Sequence, residues 1–135
     1  MNSPLLTTVI CGSYRKHWED ILRIRNFLEQ QGVYILSPLG TKIVNPGEEF
    51  ARLEGDPDVD VRTVQDAIFA HIRQSTFVIV ANVNGYLGKA TVFEMGYAAA
   101  NGIRILTVEP VQDPNLASYT QPLTALFPTW TSEWD

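Results

Sequence analysis

Four short apolar runs, separated by stretches with helical spacing, constrain the fold of this chain more than any other feature. The most continuous run, TFVIVANV at residues 76–83, is typical of a strand that is covered on both faces of a sheet. Similar runs lie at residues 5–13, 33–36 and 103–110, and the first ends at Gly12-Ser13. Apolar runs of this length that end at turn residues predict four β-strands.

The stretches between these runs have a helical pattern. Residues 17–32 place apolar side chains at helical spacing up to Gly32. Residues 60–75 predict a second helix with Asp58 or Asp60 near its N-terminus, and a third helix ends at Asn101-Gly102. Residues 37–60 show no clear period and form a long connection of the kind that is often functional. Strands that alternate with helices predict an α/β fold, a small doubly wound and mostly parallel sheet flanked by helices (Rossmann/flavodoxin-like). We expect one domain over residues 1–135, with a C-terminal tail at about 111–135.

Charge and cysteine content exclude several classes of partner and site. The net charge of −5 disfavours a nucleic-acid polymer as partner, because such proteins need a basic face. Cys11 is the only cysteine, so no intramolecular disulfide can form, and the N-terminus lacks a basic segment followed by an apolar one. No apolar run approaches the length of a membrane span. These observations predict a cytoplasmic protein with no membrane partner.

Two loops are candidates for a binding site because each follows a predicted strand. In parallel sheets, ligands bind beyond the carboxyl ends of the strands. The first loop is GSYR at residues 12–15, where Gly12 and Ser13 can expose backbone amides and Arg15 adds a positive charge. The second is NGYLGKATVFE at residues 84–94, whose glycines permit close approach of a ligand. Either loop could instead be a plain strand-to-helix turn.

Glu94 follows the second loop and has two interpretations. Thr91 and Glu94 have the spacing of a capping box, in which the acid only stabilises the start of a helix. Alternatively, Thr91, Glu94, Ala98 and Asn101 share one helix face that lines a cleft. We expect Glu94 to stay ionised there, because the positive end of the helix dipole favours its charge.

The two loops together resemble the nucleoside 2-deoxyribosyltransferase family and the related nucleoside 5′-monophosphate N-glycosidases. The similarity covers roughly residues 6–108, and its best part is FEMGYAAANGIRIL at residues 93–106, which is similar to the catalytic-helix motif of that family. The resemblance implies that Glu94 is the nucleophile at the anomeric carbon of the sugar. The second loop also resembles that of the cytokinin-activating phosphoribohydrolases, which cleave the same type of bond.

The chain departs from the family pattern at two positions. Gly88 stands where the family usually has an aspartate or serine, six residues before the nucleophile. The register of the family's other aspartate gives Ile68, and the nearest acid is Asp66. These departures keep a second function open, a nucleotide-binding or sensing module without catalysis. A third possibility is a vestigial site with a partner-binding tail.

The favoured hypothesis is an enzyme that cleaves or transfers the N-glycosidic bond of a nucleoside or nucleoside 5′-monophosphate. Glu94 attacks, Asp66 protonates the leaving base, and the remaining residues bind substrate. Tyr14 or Tyr86 is expected to stack on the base. The predicted substrate-binding residues are Gly12, Ser13, Tyr14, Arg15, Asn82, Gly85, Tyr86, Gly88 and Thr91.

No cofactor or metal is expected from the sequence. His17 and His71, with one cysteine, have no recognisable metal-ligand spacing. The segment DPDVD at residues 56–60 resembles the start of a calcium loop, but Val61 replaces its glycine and Ala67 its bidentate glutamate. A solvated loop and the start of a helix is the favoured interpretation of that segment.

The tail predicts an oligomer. It carries five large apolar residues: Leu123, Leu126, Phe127, Trp130 and Trp134. We expect a homo-oligomer, most simply a dimer, in which this tail packs on the other subunit near Glu94. The alternative is a tail that folds back on its own domain.

Overall fold

The computed structural model describes residues 5–46, 51–55 and 59–131. Its elements alternate between strand and helix from the first residue described. In chain order they are β1 (Thr7–Gly12), α1 (Tyr14–Gln30), β2 (Tyr34–Ser37), α2 (Val61–Arg73), β3 (Phe77–Ala81), a 3₁₀ turn (Val83–Gly85), α3 (Lys89–Ala100), β4 (Arg104–Thr107), α4 (Pro114–Ala117), β5 (Gln121–Pro122) and a second 3₁₀ turn (Leu123–Ala125).

The five strands form one sheet in the order β2-β1-β3-β4-β5, and every pairing between them is parallel. The predicted doubly wound α/β fold is therefore confirmed. β5 was not predicted, because it has only two residues, one of them a proline, and no apolar run marks it. The order places β1 next to β3, with Gly12 opposite Ala81 at their carboxyl ends. The two candidate loops therefore leave the sheet side by side.

Alternating residues of the central strands pack into two cores on opposite faces of the sheet. One core contains α1 and the C-terminal tail with Ile10, Ile79 and Leu106. The other contains residues of α2 and α3 with Cys11 and Val80. This alternation follows from the two-residue period of a strand, and its coverage on both faces explains why the runs are continuously apolar.

The tail packs on its own domain, contrary to the prediction that it packs on another subunit. Leu123, Phe127 and Trp130 are buried in the core under α1, and Leu126 packs against it. The ring of Trp130 lies 5.1 Å from that of Phe27, centroid to centroid. On the α1 side of the sheet, the tail covers the surface of β3 and β4. Trp134 lies outside the described residues.

The starts of α1 and α2 are fixed by side-chain caps. The hydroxyl of Ser13 accepts a hydrogen bond from the Lys16 amide at 3.2 Å, so α1 begins three residues earlier than predicted. Asp60 caps α2 by accepting from the Thr63 amide at 2.7 Å, and these bonds lower the pKa of its carboxyl. Asp58, the other acid considered for this cap, lies outside the described residues. Among the helices of the described ranges, none is long and apolar enough to cross a membrane.

Candidate active site

The loops after β1 and β3 meet at the carboxyl edge of the sheet, as the sequence predicted. Tyr86, in the second loop, joins them: the ammonium of Lys16 lies 4.0 Å from the centre of its ring, and the ring of His17 lies 6.0 Å away. A cation over an aromatic face stabilises such a contact by about 0.5–1 kcal/mol at an exposed site. The candidate site is therefore bordered by the start of α1 and the loop before α3.

Three of the four residues of the first loop have structural roles. A Cβ atom at Gly12 would lie 3.1 Å from the Cβ of Ala81, so this position has little room for a side chain. Ser13 caps α1. Tyr14 packs against Trp18 with its ring 5.3 Å away, and its hydroxyl donates to the carbonyl of Ile10 at 3.4 Å. Arg15 is exposed.

The second loop turns sharply because Asn84 and Gly85 both adopt positive φ, at 56° and 79°. Asn82, predicted to bind substrate, is fully buried and has a different contact. Its amide nitrogen donates to the Glu109 carbonyl at 2.8 Å, and its amide oxygen accepts from the Glu109 backbone at 3.0 Å. Asn82 therefore ties the end of β3 to the end of β4.

The capping-box interpretation of Thr91 and Glu94 is wrong. The N-cap of α3 is Gly88, which has no side chain to form a cap. Thr91 is the third residue of α3 and Glu94 the sixth, so neither is placed to cap the helix. Both side chains are buried. Gly88 lies beside Tyr86: a Cβ atom at position 88 would lie 3.4 Å from the Tyr86 ring.

Glu94 is a buried carboxylate held by two neutral donors. Only 7% of the residue is exposed, and its Oε2 accepts from Nε2 of Gln65 at 2.9 Å. The thiol of Cys11, near the end of β1, also hydrogen-bonds to it. Among the residues that the structure describes, no lysine, arginine or histidine forms an ion pair with Glu94. The carboxylate is thus held in place without being neutralised.

Burial raises the pKa of the Glu94 carboxyl, and the hydrogen bonds from Gln65 and Cys11 lower it by less. The expectation that the helix dipole keeps this group ionised is therefore incomplete. The dipole acts within the first turn, and Glu94 is the sixth residue of α3. Desolvation is the larger influence on this group.

Cys11 provides a test of this arrangement. Burial, the charge of Glu94 and the hydrogen bond to it all raise the pKa of the Cys11 thiol well above its ordinary value. Because the thiolate is the reactive form, we expect a thiol reagent at pH 8 to leave the native protein unlabelled and to label it stoichiometrically in denaturant. Glu94→Gln removes the charge but not the burial, and should not expose the thiol. Rapid labelling of the native protein would contradict a buried Cys11–Glu94 contact.

Asp66, predicted as the acid, is not brought to Glu94. Its side chain is 62% exposed, and its Oδ2 lies 3.8 Å from Nε of Arg62 one turn earlier in α2. The adjacent residue, Gln65, points to Glu94 instead. Successive residues of a helix are about 100° apart, so the two side chains cannot share this site.

Gln65 was missed in the sequence, although a signal was present. It lies three residues before Ile68 and seven before Ile72, on the apolar face of α2. A polar residue in the apolar stripe of a helix needs a buried partner. The partner is 29 residues further along the chain, on α3, and no local pattern indicates it.

A cavity of about 330 Å³ lies beside the second loop, on the α1 side of the sheet. Its lining includes Asn84 and Glu109 with His17, Asp20 and Trp130, and it does not include Glu94. In the described ranges, no group of three or more His, Cys, Asp or Glu residues could hold a metal ion.

Comparisons with known proteins agree with the fold. No curated protein sequence matches the chain. Among solved structures, the CMP N-glycosidase BcmB of Clostridium botulinum superimposes with a TM-score of 0.57 at 12% sequence identity. The match covers 87% of this chain and 86% of that one. The sequence model described as nucleoside 2-deoxyribosyltransferase matches residues 10–126, a range that includes both loops, Gln65 and Glu94. The chain belongs to the nucleoside 2-deoxyribosyltransferase family.

Proposed function

We propose that this chain cleaves or transfers the N-glycosidic bond of a nucleoside or nucleoside 5′-monophosphate, with Glu94 as the nucleophile. One observation carries the proposal: a buried carboxylate lies beside the end of β1 and takes no part in a helix cap or, within the described residues, in an ion pair. Membership of the family supports the type of bond. The similar fold of a CMP N-glycosidase supports testing a monophosphate.

The reaction has two steps in this proposal. A Glu94 oxygen bonds to the anomeric carbon as the bond from that carbon to the base nitrogen breaks, and the base takes the electron pair and a proton. In the second step, a water oxygen or the nitrogen of a second base attacks the anomeric carbon and loses a proton to solvent, and the Glu94 carboxylate leaves. Water as the acceptor makes the protein a hydrolase, and a second base makes it a transferase. The oxocarbenium-like character of both steps favours an adjacent negative charge.

The proton for the leaving base is a separate requirement. Asp66 was the acid expected from the sequence, but its side chain is exposed and lies near Arg62. We therefore assign the proton donor to water at the mouth of the site rather than to Asp66. Asp66→Asn is expected to change turnover little in comparison with a change at Glu94.

The residues that border the candidate site, at the start of α1 and in the loop before α3, suggest how substrate is held. Arg15 is exposed at the start of α1, where a charge-assisted bond to a 5′-phosphate is possible. Tyr86 retains 36% exposure, and part of its ring is available to stack on a base. Gly85, Gly88 and Thr91 complete the proposed binding loop.

A second candidate function is nucleotide binding without cleavage. The observation that favours it is that Glu94 is not accompanied by Asp66 and that Gly88 replaces the acid or serine of the family pattern. Binding of a nucleotide, measured by calorimetry, without release of base over days would establish this function.

The test is a chromatographic scan for free base. Purified protein is incubated with nucleosides, deoxynucleosides and their 5′-monophosphates, CMP included, each with and without a second base. We expect release of base from at least one of them, and product containing the second base if the protein is a transferase. No release from any member of the panel would overturn the proposed activity.

A homo-oligomer and a cytoplasmic location stay predictions. The tail up to Thr131 no longer supports the oligomer, because its described apolar residues are used within the domain. Light scattering of the whole chain measures the oligomeric state directly.

A further inference from the structure

Gln65 is the polar residue on the inner face of α2. Its neighbours on that face, Ile68 and Ile72, belong to the core between α2, α3 and the sheet. Gln65 is half-buried, and its amide nitrogen donates to Oε2 of Glu94 at 2.9 Å. A polar group removed from water costs free energy unless it forms a hydrogen bond. The contact therefore explains why a polar residue is tolerated at this position.

Aromatic packing fixes the distance between the two residues. One turn beyond Gln65, Phe69 of α2 stacks on Tyr97 of α3 with ring centroids 4.2 Å apart. Phe93 adds a second ring contact to Phe69 at 5.2 Å, and the Arg73 guanidinium donates to the Tyr97 hydroxyl. These contacts hold α2 against α3 beside the hydrogen bond. The geometry of Gln65 to Glu94 is thus set by packing and not by the bond alone.

The chemistry of the donor matters as much as its position. A lysine or arginine in place of Gln65 would form an ion pair with Glu94 and reduce its nucleophilicity. An ionised acid there would repel it and favour its protonation. A neutral amide donates one hydrogen bond to the charged form without neutralising it. Such a donor favours the ionised form of a buried carboxylate and leaves its charge available for attack.

We propose that Gln65 is the positioning residue for Glu94, holding Oε2 in one orientation and favouring the ionised carboxylate. Its role in turnover rests on the proposed function, in which Glu94 attacks the sugar. The hydrogen bond itself can be tested without any activity.

Among the described residues, few other titratable groups lie near Glu94. On β1, Cys11 contacts Glu94 directly. On α2, His71 lies on a different face from Gln65. The remaining charged or titratable groups of α2 and α3 are exposed or paired with each other, and they are Arg62 with Asp66, Arg73 with Tyr97, and Lys89. A change in Glu94 titration after substitution of Gln65 therefore reports the lost amide.

The experiment is a carbon-13 NMR titration of the Glu94 carboxyl, assigned by its absence in Glu94→Gln. Hydrogen bonds to the charged form lower a pKa, so Gln65→Leu should raise the pKa of Glu94 by about one unit or more. Gln30→Leu makes the same chemical change at an exposed end of α1 and should leave the titration unchanged. An unchanged Glu94 titration in folded Gln65→Leu would overturn the proposal.

Gln65→Glu keeps the shape of the side chain and guards against misfolding of the leucine variant. Two carboxyls at this distance share one proton, so their titration should split into two steps, one of them above that of wild-type Glu94. In the assay of base release, Gln65→Leu should lower kcat more than it changes KM. It should also raise the apparent pKa on the acidic side of the pH–rate profile. Gln65→Glu should recover part of kcat at pH values between the two titration steps of the pair, so its pH–rate profile should be bell-shaped. A single unshifted titration in Gln65→Glu would argue against the contact.

The two proposals fail in different measurements. If substitution of Gln65 does not change the titration of Glu94, the positioning role is overturned, whatever the activity. Base release that is unchanged in Glu94→Gln overturns the proposed function, whatever the titration shows.

Discussion

Replacing Glu94 by glutamine is expected to lower base release by about a thousandfold or more, because an amide cannot attack the anomeric carbon. The substitution preserves the local structure, since the new amide oxygen can still accept from Gln65. The measurement compares single-turnover rates of wild type and variant by chromatography of the released base. Unchanged turnover in a folded variant would remove Glu94 from the mechanism.

The same substitution has an expected effect on stability. Burial raises the folded-state pKa of Glu94 above its unfolded value, so the folded chain binds the proton more tightly. The contribution to stability is favourable below the folded pKa and is lost as pH rises through it. Glu94→Gln should therefore be more stable than wild type at neutral pH, and the difference should shrink as pH falls towards the unfolded pKa of about 4.3.

Urea unfolding at several pH values measures this difference. The control is Glu29→Gln, an exposed glutamate at the end of α1 whose carboxylate lies 3.7 Å from Nε of Arg25. Because the Glu29 side chain is 57% exposed, this ion pair should contribute about 1 kcal/mol or less. If Glu94→Gln is less stable than wild type at neutral pH, the prediction is wrong. The buried charge is then stabilised by more than its hydrogen bonds with Gln65 and Cys11.

Replacing Trp130 by alanine is expected to destabilise the protein by about 3–5 kcal/mol. Trp130 is 7% exposed and packs against Phe27 in the core beneath α1. A loss of this size is a large part of the ordinary stability of a domain, about 5–15 kcal/mol. Urea unfolding monitored by circular dichroism gives the change in the free energy of unfolding.

The matched control for the tail is Tyr119→Ala. Tyr119 is an aromatic residue of the same segment but is 64% exposed, so its substitution should change stability by about 0.5 kcal/mol or less. If Trp130→Ala instead leaves stability unchanged and converts an oligomer to a monomer, the tail packs on another subunit. That result would restore the arrangement expected from the sequence.

The strands and helices were predictable because their signals are local. The run at residues 76–83 contains β3, and the glycine at the end of the first run marks the turn into α1. The destination of the tail was not predictable. Leu123, Phe127 and Trp130 are equally apolar whether they cover their own sheet or a neighbour's. Only the extent of the sheet face left open by α1 decides between the two.

The candidate site was partly predictable for the same reason. Glu94 and its loop are adjacent in sequence, and their meeting with the loop after β1 follows from the order of parallel strands. The contacts of Glu94 with Gln65 and Cys11 join three separate elements. They depend on how α2 and α3 are rotated about their axes, which a single sequence does not specify. Asp66 differs from Gln65 by one position and by about 100° of rotation.

The most direct test of the account is to find the sugar on Glu94. Wild type is mixed with the substrate identified in the scan, quenched in acid, unfolded, and cleaved after lysine and arginine. The peptide of residues 90–104 contains Glu94 as its only acidic side chain, so mass spectrometry can assign an added sugar without ambiguity. The account predicts a sugar or sugar-phosphate mass on that peptide, absent in Glu94→Gln. The same mass on another peptide, with base release intact in Glu94→Gln, would contradict it.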